Sequence, residues 1–380
     1  MSAAIRTGCL AVSILEPPAC QATSGACIAL RPLGDCLENP VWIDPLTDPR
    51  WADLVARHPR ACTFHSRGWL EALRRTYGYQ PVALATRTRT GGLKSAFVFC
   101  RVKSRWTGNR LVSLPFSDHC DALYDTADDV EVLVSALKKC APEQKYVELR
   151  PLNAFCATTG DFTANDQYLL HRLPLQEGAD AVFRGFHKNH VVRKIHRAER
   201  EGLVYEEGSS ERLLRCFFAL TVLTRRRHRI PPQPIAWFRA VLDCLPAEAR
   251  IRVVFKDQTP IAGMLTLSDG KTMIYKYGAS DAAHHNSGGV QLLMWKTIQE
   301  ASNQGCTTMD FGRSRPQNAG EVAFKDHWGG MRMSLLYWRC PDSGKLARSA
   351  DNLNSARRMF SALPDWLLIV AGKALYRHIG

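Results

Sequence analysis

A run of closely spaced strand-like segments that feeds straight into a helix limits the fold more than any other feature. IRVVFKD (251–257), IAGMLTLSDG (261–270) and KTMIYKYGAS (271–280) are apolar or alternating, with at most a few residues between them. Segments so close together pair antiparallel, because a parallel pair needs a crossover of a dozen residues or more. GGVQLLMWKTIQEASNQG (288–305) then carries a helical pattern, and TTMDFG (307–312) and RMSLLYWRC (332–340) read as further strands. This order predicts an α/β chain with a mixed, mostly antiparallel sheet flanked by helices.

A similar order of elements occurs earlier in the chain. Trp51, Leu54 and Val55, then Trp69, Leu70 and Leu73, mark two short helices. PVALATRT (81–88) and SAFVFCRVKS (95–104) read as a strand pair turning at Gly91 and Gly92. RLVSLPFSDHCDALYD (110–125) is a strand with a polar loop, DDVEVLVSALKKC (128–140) a helix and KYVELRPL (145–152) a strand. DQYLLHRLPL (166–175) leads into the second half. There HKNHVVRKIHRAEREGL (187–203), SSERLLRCFFALTVLTRRR (209–227) and PIAWFRAVLDCL (234–245) are helical. A chain of 380 residues exceeds one ordinary core. The expected division is an extension over 1–40, domains over 41–175 and 176–345, and an amphipathic helical tail over 346–380.

The net charge of +14 favours anionic partners such as nucleic acid, phosphorylated nucleotides or an acidic membrane surface. The 13 cysteines contain no CxxC pair, which speaks against a zinc site or disulfide framework and for reduced thiols in a cytosolic protein. In the first residues, Pro17 and Pro18 cut a short apolar run, and a disordered leader is expected rather than a signal peptide. The apolar run Trp366–Ala371 falls short of the ~20 residues needed to span a bilayer. Arg357, Arg358, Lys373 and Arg377 flank it, so it is either a docking helix or a helix lying on an anionic interface.

Four stretches could carry chemistry. Arg193, Arg197 and Arg200 share one helix face with Lys194 beside them, which is either a diphosphate surface or a solvated basic face. LTRRRHRIPPQP (223–234), a charged run at the end of the long helix, is either a solvated stretch or an anion contact through Arg225 and Arg226. Ser287, Gly288 and Gly289 open a helix whose free N–H groups suit a phosphate, or form a plain tight turn. In MDFGRSRPQNAGEVAFKDHWGG (309–330), Asp310 and Arg313 fall at a strand end, with Lys325 and Trp328 on the next connection. Lys325 between Phe324 and Trp328 could hold a phosphate or an oxyanion, or simply pair with Asp310.

Taken in order, NHVVRKIHRAEREG (189–202), TRRRHRIPPQPIAWF (224–238), YKYGASD (275–281) and the 309–330 stretch resemble the FemAB-like branch of the Gcn5-related N-acetyltransferase (GNAT) superfamily. RLVSLPFSDHCDALYD and YVELRP (146–151) are similar to that group's N-terminal domain, so the resemblance spans about residues 45–340. It implies two tandem acetyltransferase-like domains that move an acyl or aminoacyl group to an amine of a peptidoglycan or exopolysaccharide precursor. It implies no tightly bound cofactor, a donor that is acyl-CoA or aminoacyl-tRNA, and an anionic or lipid-linked acceptor. It places Arg193 and Arg197 near an acceptor diphosphate and Lys325 near the donor or reacting carbonyl.

No Ser-His-Asp or Cys-His arrangement stands out, which favours direct attack by the acceptor amine. Asp310 or a Tyr-bound water would be the base, and Tyr275 or Tyr277 the acid for the leaving group. A cytoplasmic setting follows, with the inner membrane touched through residues 355–380 and no DNA partner. The competing reading is a non-catalytic RNA-binding or membrane-surface scaffold. TRRRHRI lacks the interleaved aromatics usual in single-strand binders.

Overall fold

In the computed structural model one succession of elements occurs twice. The first half runs β1 (Val41–Ile43), α1 (Pro49–Arg57), α2 (Arg67–Tyr77), β2 (Gln80–Arg87), β3 (Leu93–Val102), β4 (Arg110–Val112), α3 (Ala127–Cys140) and β5 (Tyr146–Leu149). A linker of β6 (Thr163–Pro174), α4 (Ala179–Arg184) and α5 (Arg193–Arg200) follows. The second half repeats the order as β7 (Val204–Gly208), α6 (Glu211–Arg227), α7 (Ile235–Cys244), β8 (Ala249–Lys256), β9 (Thr259–Ser268), β10 (Thr272–Ser280), α8 (Gly289–Asn303) and β11 (Thr308–Ser314). It closes with α9 (Ala319–Asp326), β12 (Met331–Cys340) and a C-terminal helix, Asp365–Ile379. The structure describes residues 39–153, 162–340, 360 and 363–379. The extension expected over 1–40, save its last two residues, and positions 346–359, 361, 362 and 380 of the expected tail lie outside them.

Local chemistry explains the boundaries. The side chain of Thr126 caps α3 and Asp129 returns the bond to the Thr126 backbone, while Lys138 and Lys139 sit in the last turn. Ser66 caps the start of α2, and Gly78 ends it at φ 70°, a left-handed conformation that only glycine takes without strain.

The strands form one sheet in the order β1-β2-β3-β4-β5-β12-β6-β11-β10-β9-β8-β7. Read from either end, the order is the same pattern about the central β12–β6 pair. In each half the fourth and fifth strands are parallel, β4 with β5 and β10 with β11, and each pair is joined through a helix. Most other neighbours are antiparallel, as the short turns require. β12 belongs to the second half by sequence yet pairs with β5 of the first, so the halves share their central strands.

The largest core cluster also joins the halves. Trp69 of α2 meets Trp237 of α7 edge-on at 5.1 Å, both fully buried. Separate clusters form around α3 and around α5 and α8. The predicted stripe on α5 is met: Val191, Ile195 and Ala198 are buried, while Arg193, Arg197 and Arg200 are exposed.

The C-terminal helix docks on this body through one face. A Cβ on Gly372 would fall 2.0 Å from the Pro232 carbonyl oxygen, so only glycine lets the helix approach so closely. Tyr376 Oη donates to the Pro231 carbonyl, and Tyr79 Oη to the Tyr376 carbonyl. The opposite face exposes Trp366, Val370, Lys373 and Arg377. No helix among the described residues is long and apolar enough to cross a membrane.

The helix expected over 209–227 forms as α6, and its last turn holds Arg225 to Arg227. One local expectation is corrected. Phe324 and Lys325 lie on α9, a helix where a connection was expected, since the turn through Pro316 ends at Asn318 and the helix begins at Ala319.

Candidate active site

β10 and β11 pair in parallel only from Thr272–Thr308 to Ile274–Asp310. Beyond that point the register of β10 shifts between Tyr275 and Tyr277, and that of β11 between Asp310 and Arg313. A bulge adds twist and bends its strand, so the two strands part. The gap is a cleft of about 680 Å³. Into it project cations from three elements: Arg225 and Arg227 of α6, Lys276 of β10, and Arg313 of β11, with Lys325 of α9 behind.

The floor is a buried ion pair between the halves. Lys276 Nζ lies 2.7 Å from Asp118 Oδ2, with 4% and 14% of the side chains exposed. Asp118 comes from the loop after β4, in the first half. Burial pushes the Lys276 ammonium to a lower pKa, and Asp118 pulls it part of the way back. Arg313 stacks on Tyr168 at 4.3 Å and Tyr337 at 5.0 Å, with its Nε 3.8 Å from Asp118 Oδ1.

Lys325 lines the cleft with its ammonium fully engaged. It donates to the carbonyls of Gly312 (2.9 Å) and Arg313 (3.1 Å) and lies 3.2 Å from Glu321 Oε1. An ammonium has three protons, and these contacts account for all of them. Its carboxylate partner is therefore Glu321, not Asp310.

Asp310 sits in the middle of β11, 1% exposed and behind the cleft wall. Burial raises its pKa, but His119 Nε2 at 3.3 Å, the Arg172 guanidinium and the Gly312 N–H outweigh this and hold it at about 2. A carboxylate held so firmly in its charged form makes a poor base at neutral pH, which corrects the expectation for Asp310. A depressed carboxylate contributes stability that is present above its unfolded value and lost as pH falls through the folded one. The expected loss between about pH 4 and pH 2 is about 2 kcal/mol. Urea unfolding of wild type and Asp310→Asn across that window checks it; parallel curves would remove Asp310 as the source.

The bulge in β10 separates two tyrosines that plain alternation would place on one face. Tyr277 packs on the core shared by the halves, and its Oη accepts from Trp237 Nε1 (3.0 Å) and Gln233 Nε2 (3.3 Å). Tyr275 packs towards α8, and its hydroxyl has no hydrogen-bond partner among the described residues. That hydroxyl lies over Gly278, where a Cβ would come within 1.6 Å of it. Burial, reinforced by Glu321, pushes the Tyr275 phenol up to about 12, so it holds its proton at neutral pH.

At the rim, His285 Nε2 lies 3.0 Å from Ser280 Oγ, and burial followed by the charges of Arg227 and Lys194 lowers its pKa. Ser287, Gly288 and Gly289 form the turn into α8. A Cβ on Gly288, at φ 79°, would fall 2.2 Å from the Lys194 carbonyl oxygen, so this glycine lets α5 close on the helix start. Beside it Asn189, Arg193, Lys194, Arg197, Arg200 and Asn286 line a second pocket of about 480 Å³. Arg197 is partly spent on Glu201, 2.7 Å away.

Two expected site residues lie elsewhere. Arg226 turns from the cleft to Asp365 (2.7 Å) and the Leu363 carbonyl, pinning the C-terminal helix. Trp328 is fully buried against Phe186 at 4.9 Å and belongs to the core. The chain does hold a Cys-His contact, Cys62 Sγ to His65 Nδ1 at 3.3 Å. Burial pushes that thiol up to about 12, which leaves it a poor nucleophile. Sequence reasoning missed Lys276, Asp118 and His285. A lysine inside the apolar run MIYKYG was the available signal for Lys276.

Residues 185–326 match the acetyltransferase (GNAT) domain family. Among solved structures, FemX is similar with a TM-score of 0.62 at 15% identity, over 75% of this chain and 94% of that one. L-PGS from Bacillus licheniformis gives 0.53 at 12% identity, over 83% and 98%. The C-terminal domain of a putative lysylphosphatidylglycerol synthetase from Agrobacterium fabrum gives 0.51 at 13%, over 80% and 94%. At these identities the likeness is one of fold. No curated protein matches the sequence.

Proposed function

We propose that this chain, an acyltransferase of the GNAT superfamily with a FemAB-like fold, transfers an acyl or aminoacyl group to an amine of an anionic cell-envelope precursor. The observation that carries this reading is the cleft between the parted strands, walled by cations and holding one free, protonated tyrosine hydroxyl. The donor carbonyl lies along β10. The acceptor's amine lone pair attacks its carbon, forming the C–N bond and placing the displaced electron pair on oxygen, where the cations of Lys276 and Arg313 stabilise it. Collapse breaks the C–S or C–O bond, and Tyr275 gives its proton to the leaving group. The amine's surplus proton leaves at the rim beside His285, through which Tyr275 is reprotonated. Lys325 keeps α9 against β11 and closes the donor's side of the cleft.

The pocket of Arg193, Lys194, Arg197 and Arg200 takes a diphosphate of the donor or the acceptor, because forked guanidinium bonds suit that group. Donor and acceptor remain those of the family resemblance: acyl-CoA or aminoacyl-tRNA, and a nucleotide- or lipid-linked amine. Exposed Trp106 and Trp366, with Lys373 and Arg377, support contact between this face and an anionic inner-membrane surface from the cytoplasmic side.

Ligand-dependent thermal stabilisation tests the reading. Acetyl-CoA, longer acyl-CoAs, a UDP-linked muropeptide and charged tRNA are compared on wild type, Lys325→Ala and Arg225→Ala. A ligand at 100 times its Kd adds about 2.7 kcal/mol. The expected result is a shift with one donor and with the muropeptide, reduced in both variants. Absence of a shift with every ligand would overturn the proposal.

A further inference from the structure

Among the described residues, one group of three metal-ligating side chains stands outside the cleft: His187, His190 and His327. We propose that it binds a divalent d-block cation of the zinc type and clamps α9 to the start of α5. The site arises simply. His187 and His190, three residues apart, flank the turn that leads into α5 and so share one face. His327 follows directly on α9, and the two segments are already joined, His187 N–H donating to the His327 carbonyl at 2.9 Å.

The rings pack together with centroids 4.6 Å (His187–His190), 4.7 Å (His187–His327) and 4.2 Å (His190–His327) apart, the last pair within 4° of parallel. One ligand atom from each lies within 4.8 Å of the others. A tetrahedral cation about 2.0–2.1 Å from each nitrogen needs them about 3.4 Å apart. Small rotations of the exposed rings of His187 and His190 cover the difference.

Three imidazoles select zinc, cobalt, nickel or copper over magnesium and calcium, which want oxygen. The exposure of two of them leaves the fourth position to water. Asp326, next in the chain, is taken by Arg332 and His171. Binding has one local cost. His187 Nδ1 accepts from the N–H groups of Asn189 (3.2 Å) and His190 (3.3 Å), and a bound cation displaces these two long contacts. A dative bond exceeds them.

The consequence lies in what the clamp joins. α9 carries Glu321, Phe324 and Lys325 into the cleft, and α5 carries the arginines of the second pocket. A cation across their ends holds both walls in one relation.

The test uses the full chain without a polyhistidine tag. Co2+ is titrated and followed by visible absorption, Zn2+ binding is measured by calorimetry, and melting is recorded with Zn2+ and with Mg2+. Expected are one cation per chain, a tetrahedral-type cobalt spectrum, and a higher Tm with Zn2+ but not with Mg2+. Affinity should fall at least roughly tenfold in His190→Ala and in His327→Ala. It should stay unchanged in His196→Ala, an exposed histidine of α5 outside the cluster. Equal affinity in wild type and His190→Ala, or a six-coordinate, water-rich cobalt spectrum, would overturn the proposal.

Discussion

Asp118→Asn is expected to destabilise the protein by about 3–5 kcal/mol, because it strands the Lys276 ammonium in a buried site without its charge partner. The reverse change should cost less. In Lys276→Met the Asp118 carboxylate keeps the guanidinium of Arg313, 3.8 Å away. The double variant Asp118→Asn/Lys276→Met should regain most of the loss, since removing both charges removes the desolvation cost along with the attraction. The pair also lies where the halves meet: its members are 158 residues apart in sequence. Urea unfolding of the four proteins closes the cycle. If Asp118→Asn costs no more than Lys276→Met, or the double variant is the least stable, the pair is not the buried charge couple described. The double variant has a second use. Should it fold normally yet lose the ligand-induced thermal shift, the lysine serves binding as well as stability.

Tyr275→Phe is expected to lower kcat by about 10²–10⁴ while changing stability by less than about 1 kcal/mol. The asymmetry follows from the hydroxyl having no partner to lose in the resting protein, whereas in the reaction it supplies the leaving group's proton. Tyr277→Phe should behave in the opposite way, because its hydroxyl takes bonds from Trp237 and Gln233 and leaves two buried donors unsatisfied when removed. Gly278→Ala offers an independent route to the same site. A Cβ there would come within 1.6 Å of the Tyr275 hydroxyl, so the phenol must swing aside and kcat should fall without any loss of the ring. Single-turnover rates with the donor found by thermal shift make the comparison. A turnover rate unchanged by Tyr275→Phe would remove it as the acid.

Both predictions concern residues whose importance depends on where the chain departs from regular structure. Tyr275, Lys276 and Tyr277 read as part of an ordinary alternating strand, and alternation alone would place both tyrosines on one face. A single bulge reverses that arrangement, sends the tyrosines to different cores and turns Lys276 towards Asp118. Trp328 and Arg226 show the same effect in the other direction. Each stands in a stretch rich in functional residue types, yet packing takes one into the core and an ion pair takes the other to the C-terminal helix.

What the amino-acid order determined by itself was local: the helices and strands, and the repetition of their order. Apolar period and capping chemistry act over a few residues and need no partner, as in the Thr126 cap of α3 and the buried stripe of α5. The family resemblance was legible for the same reason, since its motifs sit in continuous stretches. Only the tertiary structure decided the symmetric sheet order, the exchange of β12 onto the first half, the parting of β10 from β11, and the meeting of Asp118 with Lys276. These are pairings between segments far apart in the chain, chosen by the burial and register of the whole sheet, and no short window of sequence holds the energy difference that selects them.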